Sequence, residues 1–142
     1  MKVKDFLKQI SPYIDSDKDF CFRILKEDKS LYGLEVLYDY PFFNRIIKKD
    51  SEIDFQSSRG LEARKMFDME VVELDCGTGR CGFVDSIENI GIVVSCEKEK
   101  DIEDVVSSFL DGHKSNPYFS DYVDVLSSYQ SCCLEKDLEE KE

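Results

Sequence analysis

Met69-Glu70-Val71-Val72-Glu73-Leu74-Asp75, running into Cys76-Gly77-Thr78-Gly79-Arg80-Cys81-Gly82, is the stretch from which the architecture follows. Its first half alternates and is rich in β-branched residues, as a half-buried strand requires. Its second half supplies glycines that relax the backbone. A second β-branched run follows at Ile90 to Cys96, with Ile92-Val93-Val94 at its centre. Gly82 to Asn89 offers about two helical turns, less than the dozen or more residues of a parallel crossover. The spacing therefore predicts a β-hairpin with a glycine-rich connection, and Asn89-Ile90-Gly91 reads as a further turn.

Upstream, Val3, Phe6, Leu7 and Ile10 fall at i, i+3, i+4 and i+7, one apolar helical face ended by Ser11-Pro12. Asp15 to Asp19 reads as a polar turn; its three aspartates lack the glycine and distal glutamate of a calcium loop. Phe20 to Leu25 and Leu31 to Tyr38 read as strands joined by the polar Lys26 to Ser30, an antiparallel hairpin. Tyr40-Pro41 breaks the run, and Phe42, Phe43, Ile46 and Ile47 return to helical spacing. Lys48 to Gly60 reads as a mobile loop and Leu61 to Phe67 as a helical turn or two.

Downstream, Ile102, Val105, Val106, Phe109 and Leu110 form an amphipathic stripe, with Asp101, Glu103 and Asp104 at its start and Gly112 near its end. Asn116-Pro117 has the cap and first-position proline of a new helix, along which Tyr118, Tyr122, Val125 or Leu126, and Tyr129 recur. Part of this aromatic series is expected in the core. The order of elements predicts an α+β domain over residues 1–134, a small mostly antiparallel sheet with an N-terminal helix and C-terminal helices packed on it. Residues 135–142 read as an acidic, frayed tail.

The chain has 142 residues, 19 basic and 31 acidic, for a net charge of −12. Residues 1–65 carry 13 basic and 12 acidic residues, whereas residues 66–142 carry 6 and 19, so the excess lies in the second half. The tail, with five acids and two lysines, accounts for little of it. Such a balance disfavours direct nucleic-acid binding, which needs cations against phosphates. No apolar run approaches the roughly 20 residues of a membrane span, and the first residues lack the apolar stretch of a secretory signal.

The six cysteines are Cys21, Cys76, Cys81, Cys96, Cys132 and Cys133. Without an export signal they are expected as reduced thiols. Cys21 and Cys96, in strand-like runs, are expected to pack as small hydrophobes. A zinc site at Cys76 and Cys81 would need His113 with Cys132 or Cys133 as remote ligands, and no metal is expected. His113 follows Gly112 at a helix end, a place for a structural or solvent-facing imidazole. No catalytic residues are expected.

Gly77-Thr78-Gly79-Arg80-Cys81-Gly82 satisfies G-x-G-x-x-G after a strand. Val72 to Arg80 resembles the first motif of class I S-adenosylmethionine-dependent methyltransferases. That resemblance, over about 30 residues, implies a cofactor site lined by Asp75, Gly77, Gly79 and Glu97, the last twenty residues beyond Gly77. It is the alternative to a chain without a cofactor.

Residues 1–97 carry a second resemblance. The opening Met1-Lys2-Val3-Lys4-Asp5-Phe6-Leu7, the strand Phe20 to Leu25 and the late strand Asp68 to Leu74 look like small phage and mobile-element proteins of low-GC Gram-positive bacteria. The resemblance implies a protein of the bacterial host cytoplasm, from gene sets that include inhibitors of host defence. With the acidic second half, it leads to an expected function. The chain would be a non-enzymatic, anti-CRISPR-like nucleic-acid mimic that occupies the basic nucleic-acid-binding surface of a host protein. Asp101, Glu103, Asp104, Asp111, Asp121 and Asp124 are the expected contact residues, provided the two helices bring them to one face. A self-associating phage protein, joined through its aromatic helix, is the other alternative.

Overall fold

The computed structural model describes residues 1–14, 20–38, 65–81 and 84–140. Helix α1 spans Val3–Ile10 and buries all four residues of its apolar face, Val3, Phe6, Leu7 and Ile10. A 3-10 turn, Ser11–Tyr13, ends it at Pro12, which has no backbone N–H to continue the ladder. The start of α1 is bonded to the later sheet: Val3 N–H donates to Met69 O at 3.0 Å and Val71 N–H to Met1 O at 2.9 Å.

Strands β1 (Phe20–Leu25) and β2 (Leu31–Tyr38) form the expected antiparallel hairpin, with Phe20 opposite Tyr38 and Leu25 opposite Leu31. Lys26 N–H bonds Ser30 O at 2.8 Å across the turn, and Lys29 takes a left-handed φ of 71°. The Asp28 carboxylate accepts from the Ser30 hydroxyl and, at 2.9 Å, from Ser30 N–H, and these bonds, the hydroxyl's first, hold its carboxyl below the usual range.

Strands β3 (Glu70–Cys81) and β4 (Val84–Ser95) make the second antiparallel hairpin, from Glu70 opposite Ser95 to Cys81 opposite Val84. Two expectations are corrected here. The glycine-rich segment is not the connection, because Gly77 and Gly79 pair within the ladder with Asn89 and Ile87. Nor is Asn89-Ile90-Gly91 a turn. Ile90 is fully buried and lies between Phe22 and Cys76 on its two neighbouring strands. Gly91 serves close packing instead, since a Cβ there would sit 2.5 Å from Leu25 Cδ1.

The two hairpins join through β1 and β4, which run parallel with Phe22 opposite Ile90 and Leu25 opposite Val93. The sheet order is β2-β1-β4-β3, two antiparallel pairs about one parallel seam. Phe20, Phe22, Ile24, Val71, Leu74, Ile90, Ile92 and Val94 turn one face into the main core. Leu25, Val72 and Val93 make a smaller buried cluster of their own.

Helix α2 (Ile102–His113) buries the predicted stripe. Asn116 caps a 3-10 turn, Pro117–Phe119, by accepting from Tyr118 N–H at 3.0 Å, and α3 (Ser120–Glu140) follows. Residues 135–140 continue this helix. Phe119, Tyr122 and Tyr129 enter the core; Tyr122 meets Phe20 and Phe22 edge-on at 5.2 and 5.8 Å. With α1, α2 and α3 on the sheet, the class is α+β. Residues 65–67 are helical and bury Met66 and Phe67. The expected turn at 15–19, the helical spacing at 42–47, the loop at 48–60 and residues 61–64 lie outside the described residues.

Candidate functional site

The strand β3 lies at one edge of the described sheet, and α2 packs along it. Between them is a groove of about 530 Å³, lined by Glu73 and Asp75 of β3, Lys100, and Asp104, Ser108, Phe109 and His113 of α2. The alternation of β3 makes this arrangement. Leu74 and Cys76 pack toward the core, while Glu73 and Asp75 point the other way. On α2, Val105, Val106 and Phe109 go inward, so Asp104 and Ser108 are left at the groove's outer wall.

Three acidic residues, Glu73, Asp75 and Asp104, are part of this lining. Lys29, reaching from the β1–β2 turn, lies 2.8 Å from Glu73 Oε1 and 3.3 Å from Asp75 Oδ2. The Glu73 hydrogen bond, ahead of Asp75, holds the ammonium above its usual range. One lysine shared by two carboxylates leaves a negative excess, to which Asp104 adds. The participants are each about half exposed, so these pairs contribute at most ~1 kcal/mol apiece.

The six expected contact residues do not share one face. Asp101 is the N-cap of α2, its carboxylate accepting from Glu103 N–H at 3.0 Å. Asp104 and Asp111, exposed and seven residues apart, lie two turns apart on the outer side of α2. Glu103 and Ser107 are successive-turn neighbours on the flank toward α3, where Gln130 Nε2 donates to Ser107 Oγ at 2.6 Å. Asp121 and Asp124 are exposed on α3, away from the Gln130 flank that meets α2. Asp101, Asp104 and Asp111 therefore go with the groove side, together with Glu73 and Asp75, and the α3 pair stands apart.

The cofactor arrangement implied by the methyltransferase motif is corrected. A strand follows the glycines where that motif requires a helix, so among the described residues no helix starts from them. Glu97 follows the β4 end that pairs with Glu70, while Gly79 is nine residues along β3. That is about 30 Å of extended chain, and the four residues do not converge.

No family model, curated protein or solved structure matches the chain. The geometry of the groove and its neighbours is what bears on function.

One pairing was raised by the sequence only as part of a remote zinc set. Cys76 Sγ and His113 Nε2, 37 residues apart, lie 3.6 Å from each other, both half-buried. The His113 ring stacks on Phe109 at 4.7 Å and meets Phe119 edge-on at 5.8 Å. The remote zinc set imagined for His113 is not assembled, because Cys132 and Cys133 lie instead beside Tyr13 and Tyr129. A hydrogen bond with Cys132 pushes the Tyr13 phenol up to about 12, and burial pushes Tyr129 up as well. Tyr129 Oη donates to Gln9 Oε1 at 3.0 Å. Among the described residues no three of His, Cys, Asp and Glu are grouped as metal ligands. Cys96 is also corrected: β4 ends at Ser95, and its thiol is exposed. No described helix is long and apolar enough to cross a membrane.

Proposed function

We propose that this chain is a non-catalytic acidic binding protein that occupies the basic, nucleic-acid-binding surface of a bacterial defence protein. The observation that carries the proposal is the clustering of Glu73, Asp75 and Asp104 around one groove, with Asp101 and Asp111 on the same helix. The net charge of −12 supports it, because charge of one sign steers association with a surface of the other. The resemblance of residues 1–97 to phage and mobile-element proteins supports the choice of partner. Contact would run along α2 and the β3 edge, a narrower surface than the two-helix face expected from sequence.

Displacement of a labelled DNA duplex from a purified RNA-guided nuclease tests it. The chain is expected to displace the duplex at 50 mM salt, and displacement is expected to weaken severalfold by 200 mM salt, where screening is stronger. Asp104→Lys with Asp111→Lys should abolish it, while Asp121→Lys with Asp124→Lys should change it little. Equal loss in both pairs, or no displacement from any of a set of nucleic-acid-guided and restriction nucleases, would reject the proposal.

A second role, self-association, draws on Leu134 and Leu138, which are 54% and 66% exposed one turn apart on α3. The buried Tyr122 and Tyr129 are not available for it. Gel filtration of wild type against Leu134→Glu over a hundredfold concentration range separates this role from a monomeric binder.

A further inference from the structure

Cys76 and His113 are a nucleophilic and a titratable side chain to which the acidic-binder role gives no part. They come from different elements, the middle of β3 and the last residue of α2, and meet at 3.6 Å between Sγ and Nε2. The imidazole is held on two sides, by Phe109 at 4.7 Å and Phe119 at 5.8 Å, so its plane is set by packing. His113 lines the groove, and Cys76 lies half-buried against it, next to the lining residue Asp75.

From this geometry we infer that Cys76 is a reactive thiol activated by His113, a site of thiol–disulfide exchange with small disulfides that enter by the β3–α2 groove. His113 Nε2 takes the thiol proton, and the thiolate attacks one sulfur of a disulfide RS–SR. A Cys76 S–S–R bond forms as the reagent's S–S bond breaks. The departing RS⁻ takes the proton from the imidazolium and leaves as RSH. The Cys76 sulfur is thereby oxidised to the disulfide level, and the departing half of the reagent is reduced to a thiol. One equivalent is consumed per chain, so the step is a modification and does not depend on the acidic-binder role.

The charged groups nearest the pair have known places: Asp104 and Lys100 line the groove with His113, Lys114 follows His113, and Glu73 and Asp75 flank Cys76 on β3 with their side chains turned to the other face of the sheet. The carboxylates oppose a thiolate at Cys76, while Lys100 and Lys114 favour one. The direct thiol–imidazole contact is the shortest-range influence among them.

Exposed Cys96 provides an internal reference. The full chain is treated with limiting 2,2′-dithiodipyridine from pH 5.5 to 9, and the extent of modification at each cysteine is read from peptide masses. At pH 6, Cys76 is expected to react about tenfold faster than Cys96, and the ratio is expected to fall as pH rises and both thiols ionise. His113→Phe keeps an aromatic ring between Phe109 and Phe119 and removes both nitrogens. In that variant the ratio should drop and lose its pH dependence. A Cys76 rate at or below that of Cys96 at every pH, or a ratio unchanged in His113→Phe, would overturn the inference. Should that variant fail to fold, thiolate absorbance at 240 nm, taken as wild type minus Cys76→Ser, carries the test. Absorbance present at pH 6 supports the pair, and absorbance absent until the range of an ordinary thiol overturns it.

Discussion

The face of the sheet under α1 and α3 and the edge of the sheet beside α2 are built from the same alternation but to different ends. Under α1 and α3, Phe6, Phe20, Phe22, Tyr122 and Tyr129 interlock edge-on and almost nothing charged intrudes. At the β3–α2 edge, the inward residues are equally apolar, but the outward ones are Glu73, Asp75 and Asp104 beside a half-buried thiol and imidazole. Buried aromatic packing is concentrated in the first region and exposed negative charge in the second. Side chains that do little to hold the fold are thereby left available to a partner or a reagent.

The largest expected contrast is between Phe22→Ala and Asp104→Ala. Phe22 is 2% exposed at the centre of the aromatic cluster, and its truncation should cost about 3–5 kcal/mol in urea titration. Asp104 is exposed, and its truncation should stay within about 0.5 kcal/mol. Comparable losses would show that the edge bears as much of the stability as the core.

A smaller effect is expected at Gly91, where β4 pairs with both β1 and β3. The 2.5 Å approach of a Cβ to Leu25 Cδ1 predicts a cost of about 1–3 kcal/mol for Gly91→Ala. Combined with Leu25→Ala, the two losses should be less than additive, since the second removes the atoms in conflict. Strict additivity would mean that the strand shifts to make room.

The smallest effect is expected on the groove's rim. Lys29→Ala should change stability by no more than about 1 kcal/mol, because both its partners and the lysine itself are substantially exposed. The sign with pH is defined. Contact with Glu73 and then Asp75 raises the folded-state value of Lys29, so its contribution is complete below the unfolded value of about 10.4. It is lost as pH rises through the folded value, and wild type and Lys29→Ala should converge in urea titrations at strongly alkaline pH. A difference that grew with pH would contradict the pairing.

Local pattern was enough for α1, the β1–β2 hairpin, the α2 stripe and the Asn116-Pro117 helix start. In each, neighbours within a few residues settle the conformation: a 3.6-residue period, a short polar connection, a side chain that accepts from a nearby N–H. The Gly77 to Gly82 stretch misled because its glycines look alike whether they bend a chain or lie in a ladder. Pairing with Ile87 and Asn89 places Gly77 and Gly79 in the sheet, and Leu25 explains Gly91. The acidic residues were countable from sequence, but their division between the groove side and the outer flank of α3 depends on the roll of each helix against the sheet.

By itself, the sequence determined the α+β class, the ends of most helices, both hairpins and the concentration of negative charge after residue 65. Tertiary structure alone decided the parallel seam between β1 and β4, the groove at the β3 edge and the meeting of Cys76 with His113. Helix periods and caps are set by residues a few positions apart. Strand partners and side-chain pairs dozens of residues apart depend on which surfaces pack to exclude water, and no local spacing encodes that choice.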